Sequence, residues 1–178
     1  MNIKDYIYLN QIPSGNTQEH NHSILEYFGV EYNEMKVLEV YDKVKELTKI
    51  TINKDIQGKL KVNGKWYYVD RDITKSTFGQ FIELESYLSD DSYLINHFNE
   101  LLAIFVRPRK WNWWKFRYGI EKWDPNKKDV ISNALLEMDI NDAFGLNVFF
   151  YQNAANSINN MKVRYLVELE KMRKQVPN

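Results

Sequence analysis

Between Thr77 and Arg109 the chain carries two apolar repeats of helical period joined by a short polar break, and the rest of the fold has to accommodate them. Thr77 and Gln80 stand at the spacing of a capping box, in which a hydroxyl caps the helix start and the side chain three residues on reaches back. Behind them Phe78, Phe81, Ile82 and Leu88 fall near one helical face. After the break at 89–92, Leu94, Phe98, Leu101 and Phe105 repeat at three and four residues, flanked by Ile95 and Leu102. Pro108 disfavours helical geometry at Arg107, so the second helix is expected to stop there. The pair predicts an antiparallel helical hairpin whose apolar positions are core.

From about Ile50 to Asp70 the period changes from helical to alternating. Asn63-Gly64 sits between Lys59-Leu60-Lys61-Val62 and Lys65-Trp66-Tyr67-Tyr68-Val69. That dipeptide between alternating runs is a strong hairpin signal, because both residues tolerate positive φ. A two-residue turn sets Val62 against Lys65 and Leu60 against Tyr67. One face then carries Leu60, Val62, Tyr67 and Val69, and the other Lys59, Lys61, Trp66 and Tyr68. Two strands are marginal alone, and Ile50-Thr51-Ile52 is the expected third. The exposed edge offers a place for a neighbouring subunit to add on.

The N-terminal stretch is less decided. Residues Ile3 to Leu9 read as a short strand or a helical turn, and Ile12 to Asn16 as a loop. Glu19, His20 and His22 have the chemistry of metal ligands, but three groups without partners at suggestive spacing favour a solvated loop. Ser23 to Phe28 reads as a helix closed by Gly29. Asn33 is expected to cap a stronger one, striped by Val37, Val40, Tyr41, Val44 and Leu47.

Residues 107–118 interleave Arg107, Arg109, Lys110, Lys115 and Arg117 with Trp111, Trp113, Trp114, Phe116 and Tyr118. Aromatics that stack bases and cations that follow phosphates make a platform for single strands. Trp, Tyr and Arg are equally the favoured anchors of protein interfaces, and a segment clamping the chain's own surface is the third reading. A protein contact is preferred, because 24 basic and 24 acidic residues leave no net field to attract a polyanion. Asp124-Pro125 then reads as a helix start, with Val130, Ile131, Ala134, Leu135 and Met138 as its stripe.

A last helix is expected from 141 to 175, with Phe144, Val148, Tyr151, Ala155, Ile158, Met161, Tyr165, Leu169 and Met172 in three-four rhythm. It would be ~50 Å long, longer than a compact domain of this size at roughly 35–40 Å. Its final turns therefore project toward another chain, unless the helix bends near Asn159 and Asn160. The whole predicts an α+β chain, predominantly α-helical. It is a helical bundle with a small β-hairpin or meander at 50–72 and a long C-terminal helix, in a single domain over 1–178.

The absence of cysteine removes disulfides, thiolate catalysis and cysteine-based zinc sites. The longest apolar run, Leu101 to Val106, is far short of the ~20 residues that span a bilayer. The sequence carries no Gly-rich phosphate loop, no His-Glu-x-x-His pattern and no nucleophile elbow. Glu83 and Glu85 lie two apart and point to different faces of a helix. His97 reads as a hydrogen-bonded boundary residue. No catalytic residue, metal or cofactor is expected, and the chain reads as a non-enzyme. The residues expected to meet partners are Arg107, Arg109, Trp111, Trp113, Trp114 and Arg117, together with Trp66, Tyr68, Tyr165 and Leu169.

Three segments together resemble a known group. They are Thr77-Phe78-Gly79-Gln80-Phe81-Ile82-Glu83-Leu84-Glu85, Leu101-Leu102-Ala103-Ile104-Phe105-Val106-Arg107-Pro108, and Ala143-Phe144-Gly145 followed by Phe149-Phe150. The pattern is similar to small proteins of tailed bacteriophages of Bacteroidetes, including crAss-like phages, and distantly to the baseplate hub assembly proteins of T-even phages. It covers roughly residues 75–152 and leaves out the hairpin and the Trp-rich segment. No functional residue is carried over from it. The resemblance implies a structural protein of a head–tail connector or tail ring, present in several copies. It would be located in the virion after synthesis in the host cytoplasm, and would contact portal, tail or neck ring proteins. Two alternatives stand beside it: an assembly chaperone of the tail or baseplate that is not retained in the virion, and a single-stranded nucleic-acid binder.

Overall fold

Asparagine side chains open the first two helices. Helix α1 (Ile3–Gln11) starts at Asn2, whose Oδ1 accepts from the Asp5 amide while Asp5 Oδ2 accepts from the Asn2 amide, both at 2.9 Å. This satisfies two donors that the first turn leaves without helical partners. Helix α2 (Thr17–Tyr27) starts at Asn16, which accepts from the Gln18 amide at 3.0 Å. Helix α3 (Val37–Leu47) starts at Lys36, whose amide donates to Glu39 at 2.9 Å, so the cap lies three residues beyond the expected Asn33. Residues 3–9 are thus helix, and Glu19, His20 and His22 lie on α2 rather than in a loop. The computed structural model describes residues 1–53, 58–70, 76–112 and 117–150, and the backbone alone at 78, 81, 88, 91, 92, 112, 117, 118 and 120.

The hairpin forms in the expected register. Strands β1 (Lys59–Val62) and β2 (Lys65–Val69) pair Val62 with Lys65 and Leu60 with Tyr67, around Asn63 at φ 47° and Gly64 at φ 76°. Positive φ at both turn residues is what matches the turn to the twist of the strands. The third strand is not Ile50 to Ile52. That segment is tied to the last helix instead, through Thr51 N to Asn141 Oδ1 at 2.6 Å and Asn53 N to Asn141 O at 3.2 Å. The sheet is completed by β3 (Val106–Asn112) and β4 (Arg117–Ile120), antiparallel throughout in the order β1-β2-β3-β4.

β3 is the less expected strand, since Pro inside a strand removes a ladder donor. Pro108 is accommodated at a break between two ladders. β2 pairs with β3 over Val106 to Pro108, and β4 pairs with it from Arg109 onward. The Glu121 amide donates to Pro108 O at 3.3 Å just past the end of the β4 ladder.

Between β2 and β3 lie α4 (Phe78–Leu88), α5 (Asp91–Asn96) and α6 (Phe98–Ala103). The Thr77–Gln80 capping box is present. The second helix of the expected pair is divided at His97 and stops at Ala103, because the chain turns through Ile104 and Phe105 into β3. In α4 the core face is Gln80, Leu84 and Tyr87, while Ile82 is exposed. The side chains of Phe78, Phe81 and Leu88 lie outside the described set.

A short 3-10 turn (Pro125–Lys127), capped by Asp124 as expected, leads into α7 (Lys128–Leu135). Its stripe buries Ile131 and Leu135, with Met138 just beyond; Val130 faces out. The last helix among the described residues, α8, occupies 140–150. The expected continuation to 175, with its projecting turns, lies outside the described residues.

The main core closes around α6. None of the six residues from Leu101 to Val106 is more than 1% exposed. Phe105 stacks on Phe150 at 4.3 Å, and Tyr6, Phe98 and Phe144 form a second aromatic contact set. A smaller core holds Ile24, Leu25, Val40 and Val44 of α2 and α3. Helix α1 stands between the two, giving Ile3 and Tyr6 to the first and Leu9 to the second. The architecture is therefore α+β and predominantly helical.

Candidate protein-docking surface

Alternation along the strands sorts the sheet into two faces. Leu60, Val62, Tyr67, Val69 and Val106 are buried against the helices. The opposite parity carries Lys59 and Lys61 on β1, Trp66 and Tyr68 on β2, and Arg107, Arg109 and Trp111 on β3. Paired residues on neighbouring strands share a face. Lys59 is set against Tyr68 and Lys61 against Trp66, and each ammonium lies over its aromatic partner, 5.7 and 6.0 Å from the ring centroid. Trp66 remains 46% exposed and Arg109 is exposed, with Trp111 half-buried. The fold thus gathers four of the expected contact residues, Trp66, Tyr68, Arg109 and Trp111, although 41 positions separate Tyr68 from Arg109 in the chain.

Arg107 is a correction. By parity it belongs to this face beside Tyr68, yet only 2% of it is exposed. Its guanidinium turns back and donates to the carbonyls of Ala103 at 2.8 Å, Val106 at 3.0 Å and Ile104. Burial pushes its pKa down to about 10, against the pull of Asp70 and Glu83, which leaves it charged at neutral pH. Arg107 therefore terminates α6 and does not meet a partner. Arg117 opens β4 opposite Asn112. Trp113, Trp114, Tyr165 and Leu169 lie outside the described residues.

A second polar cluster joins α4, α6 and α7. Tyr87 Oη donates to Glu100 Oε2 at 2.6 Å, and Lys128 Nζ donates to Tyr87 Oη at 2.7 Å. His97 Nδ1 lies 2.8 Å from Glu100 Oε1, and its ring stacks on Tyr93 at 4.1 Å. Burial and the hydrogen bond to Glu100 hold Tyr87 far above the ordinary phenol value. It is consequently a fixed donor, unsuited to act as a base. Burial alone would raise Glu100, but hydrogen bonds from Tyr87 and His97 and the charges of His97 and Lys128 outweigh it and hold the carboxyl low. A depressed carboxylate and a locked phenol tie three helices together. Sequence reasoning places His97 at a boundary, but nothing local announces Lys128 as the partner of a residue 41 positions away.

On α2, His20 Nδ1 lies 3.2 Å from Pro13 O and His22 stacks on Tyr32 at 4.5 Å. Among the described residues no three His, Asp or Glu side chains converge to hold a metal ion. No helix among them is long and apolar enough to cross a membrane. Neither protein-family models, nor curated proteins, nor solved structures give a match to this chain.

Proposed function

We propose that this chain is a non-enzymatic structural protein that docks onto other proteins through the outer face of its sheet. One observation carries the reading: among the described residues, Lys59, Lys61, Trp66 and Arg109 stand exposed on the sheet face opposite the buried one, with Tyr68 and Trp111 half-buried beside them. Aromatic and arginine side chains on a rigid sheet are the usual anchors of an interface, since they bring large contact area at low entropic cost. The setting rests on the sequence resemblance: a head–tail connector or tail ring of a tailed-phage particle, with portal, tail or neck proteins as neighbours. Mass spectrometry of purified particles tests it. Peptides of this chain at stoichiometric amounts are expected; none, in particles that cannot be built without the gene, would instead make it an assembly chaperone. Normal infectious particles from a deletion strain would end both readings.

A further inference from the structure

The formal charge of the chain sums to zero, but the charges are segregated. The outer sheet face carries three exposed cations, Lys59, Lys61 and Arg109, and its strands hold no Asp or Glu. Residues 17–47, which hold α2 and α3, carry seven Asp and Glu against three Lys, and all seven acids are exposed. Within this acidic unit lies a groove of about 480 Å³, lined by Asn21, His22, Tyr32, Met35, Val37 and Tyr41 among others. Helix α3 buries Val40 and Val44 against α2 but leaves Val37 81%, Leu38 76% and Tyr41 56% exposed. A row of large apolar side chains on one helix, left uncovered beside a groove, marks a contact surface.

We propose that this groove receives the outer sheet face of a second copy of the chain, so that copies associate head to tail. The inference rests on the reading that the sheet face docks onto protein, and it names the partner. Charge decides between the possible pairings. Sheet face against sheet face sets cations on cations, and pairing two α2–α3 units brings together two surfaces that are each net acidic; both are disfavoured. Sheet against groove is complementary in sign, and it brings the exposed indole of Trp66 to an apolar, roomy site. The two surfaces belong to different cores on either side of α1, so one copy can use both at once. A contact between unlike surfaces repeats from copy to copy, closing into a ring or running on as a filament.

The test is the mass of the full-length protein by light scattering, with two variants at exposed positions whose folding is checked by circular dichroism. One carries Lys61→Glu and Trp66→Ser on the sheet; the other carries Leu38→Glu and Tyr41→Ser on α3. The unaltered chain is expected above its 21.4 kDa monomer mass at low salt and to shift toward it as salt rises. Each variant alone is expected at the monomer mass. Mixed, they are expected to form a species of twice 21.4 kDa and nothing larger, because each retains one of the two complementary faces. A monomeric unaltered chain overturns the inference, as do a mixture without the dimer and a variant that keeps the unaltered mass. These results leave docking of the sheet face on another protein untouched; that reading is tested separately, and falls if the Trp66 variant still enters particles normally.

Discussion

Gln80 and Arg107 meet on one carbonyl, that of Ile104. The Gln80 Nε2 donates to it at 3.0 Å, and the Arg107 guanidinium also donates to it while holding Ala103 O and Val106 O. The last carbonyls of a helix have no helical partners, and here they belong to residues that are fully buried. The same Gln80 accepts from the Thr77 amide through Oε1, so one side chain ties the start of α4 to the end of α6.

Loss of this junction should be costly. Arg107→Met is expected to destabilise the fold by about 2–4 kcal/mol, since it takes a charged donor from the buried carbonyls of Ala103 and Val106 and leaves Ile104 O to Gln80 alone. Gln80→Leu is expected to cost about 1–2 kcal/mol, and the double variant more than the sum, because only then does the buried Ile104 O lose both donors. Urea unfolding measures all three. An Arg107 variant as stable as the parent would mean that the side chain is not interior, and would restore it as a surface contact.

The Tyr87–Glu100 pair makes stability depend on pH in both directions. Glu100 titrates below its ordinary 4.5 in the folded chain, so its contribution is full above that value and is lost as the pH falls through the folded value. Tyr87 titrates above its ordinary 10.0, so its contribution is full below pH 10 and is lost as the pH climbs toward its folded value. Tyr27, raised to about 12 by burial and by its bond to Asp5, adds to the alkaline limb. Thermal midpoints of the parent and of Glu100→Gln should differ near neutrality and converge in acid. A difference that stays constant down the acid limb would show that the carboxylate charge contributes nothing there.

What is legible in the sequence is local. The hairpin follows from Asn63-Gly64 and the alternation beside it, and the α4 start from Thr77 and Gln80, each within a few residues. β3 is hidden because Arg-Pro-Arg argues against a strand, and only the switch of ladders at Pro108 allows one. The docking face is half visible: alternation puts Trp66 and Tyr68 on one side of the hairpin, but β3 reaches them only through a pairing across three intervening helices. Periodicity makes the stripe of α3 wholly core, whereas Val37 and Tyr41 stay exposed because α3 packs on α2 along one edge only. Arg107 shows the limit most plainly, since its chemistry suits a surface and its position in the turn out of α6 buries it.

Gly64 gives a check on the hairpin that leaves both cores alone. At φ 76°, with nothing within 4 Å of where a Cβ would stand, the position is open in space but strained for any residue that carries one. Gly64→Ala is therefore expected to cost about 1–2 kcal/mol through backbone strain alone. An unchanged urea midpoint would mean that the turn relaxes to another type.

Single-stranded nucleic acid is the competing occupant of the sheet face, and magnitudes do not dismiss it at once. Stacking a base is worth about 1–3 kcal/mol, more than the ~0.5–1 kcal/mol of an exposed cation–π pair such as Lys61 over Trp66. Affinity for a polyanion, however, comes mainly from phosphate contacts. Of the cations expected to make them, Arg107 is buried on backbone carbonyls, and the acidic α2–α3 unit cancels the attraction of the sheet at a distance. An oligothymidine titrated at low salt is therefore expected to leave the Trp fluorescence unquenched, in the parent and in Trp66→Ser alike. Quenching that disappears with added salt, and that Trp66→Ser weakens, would reassign the face from protein to single strands.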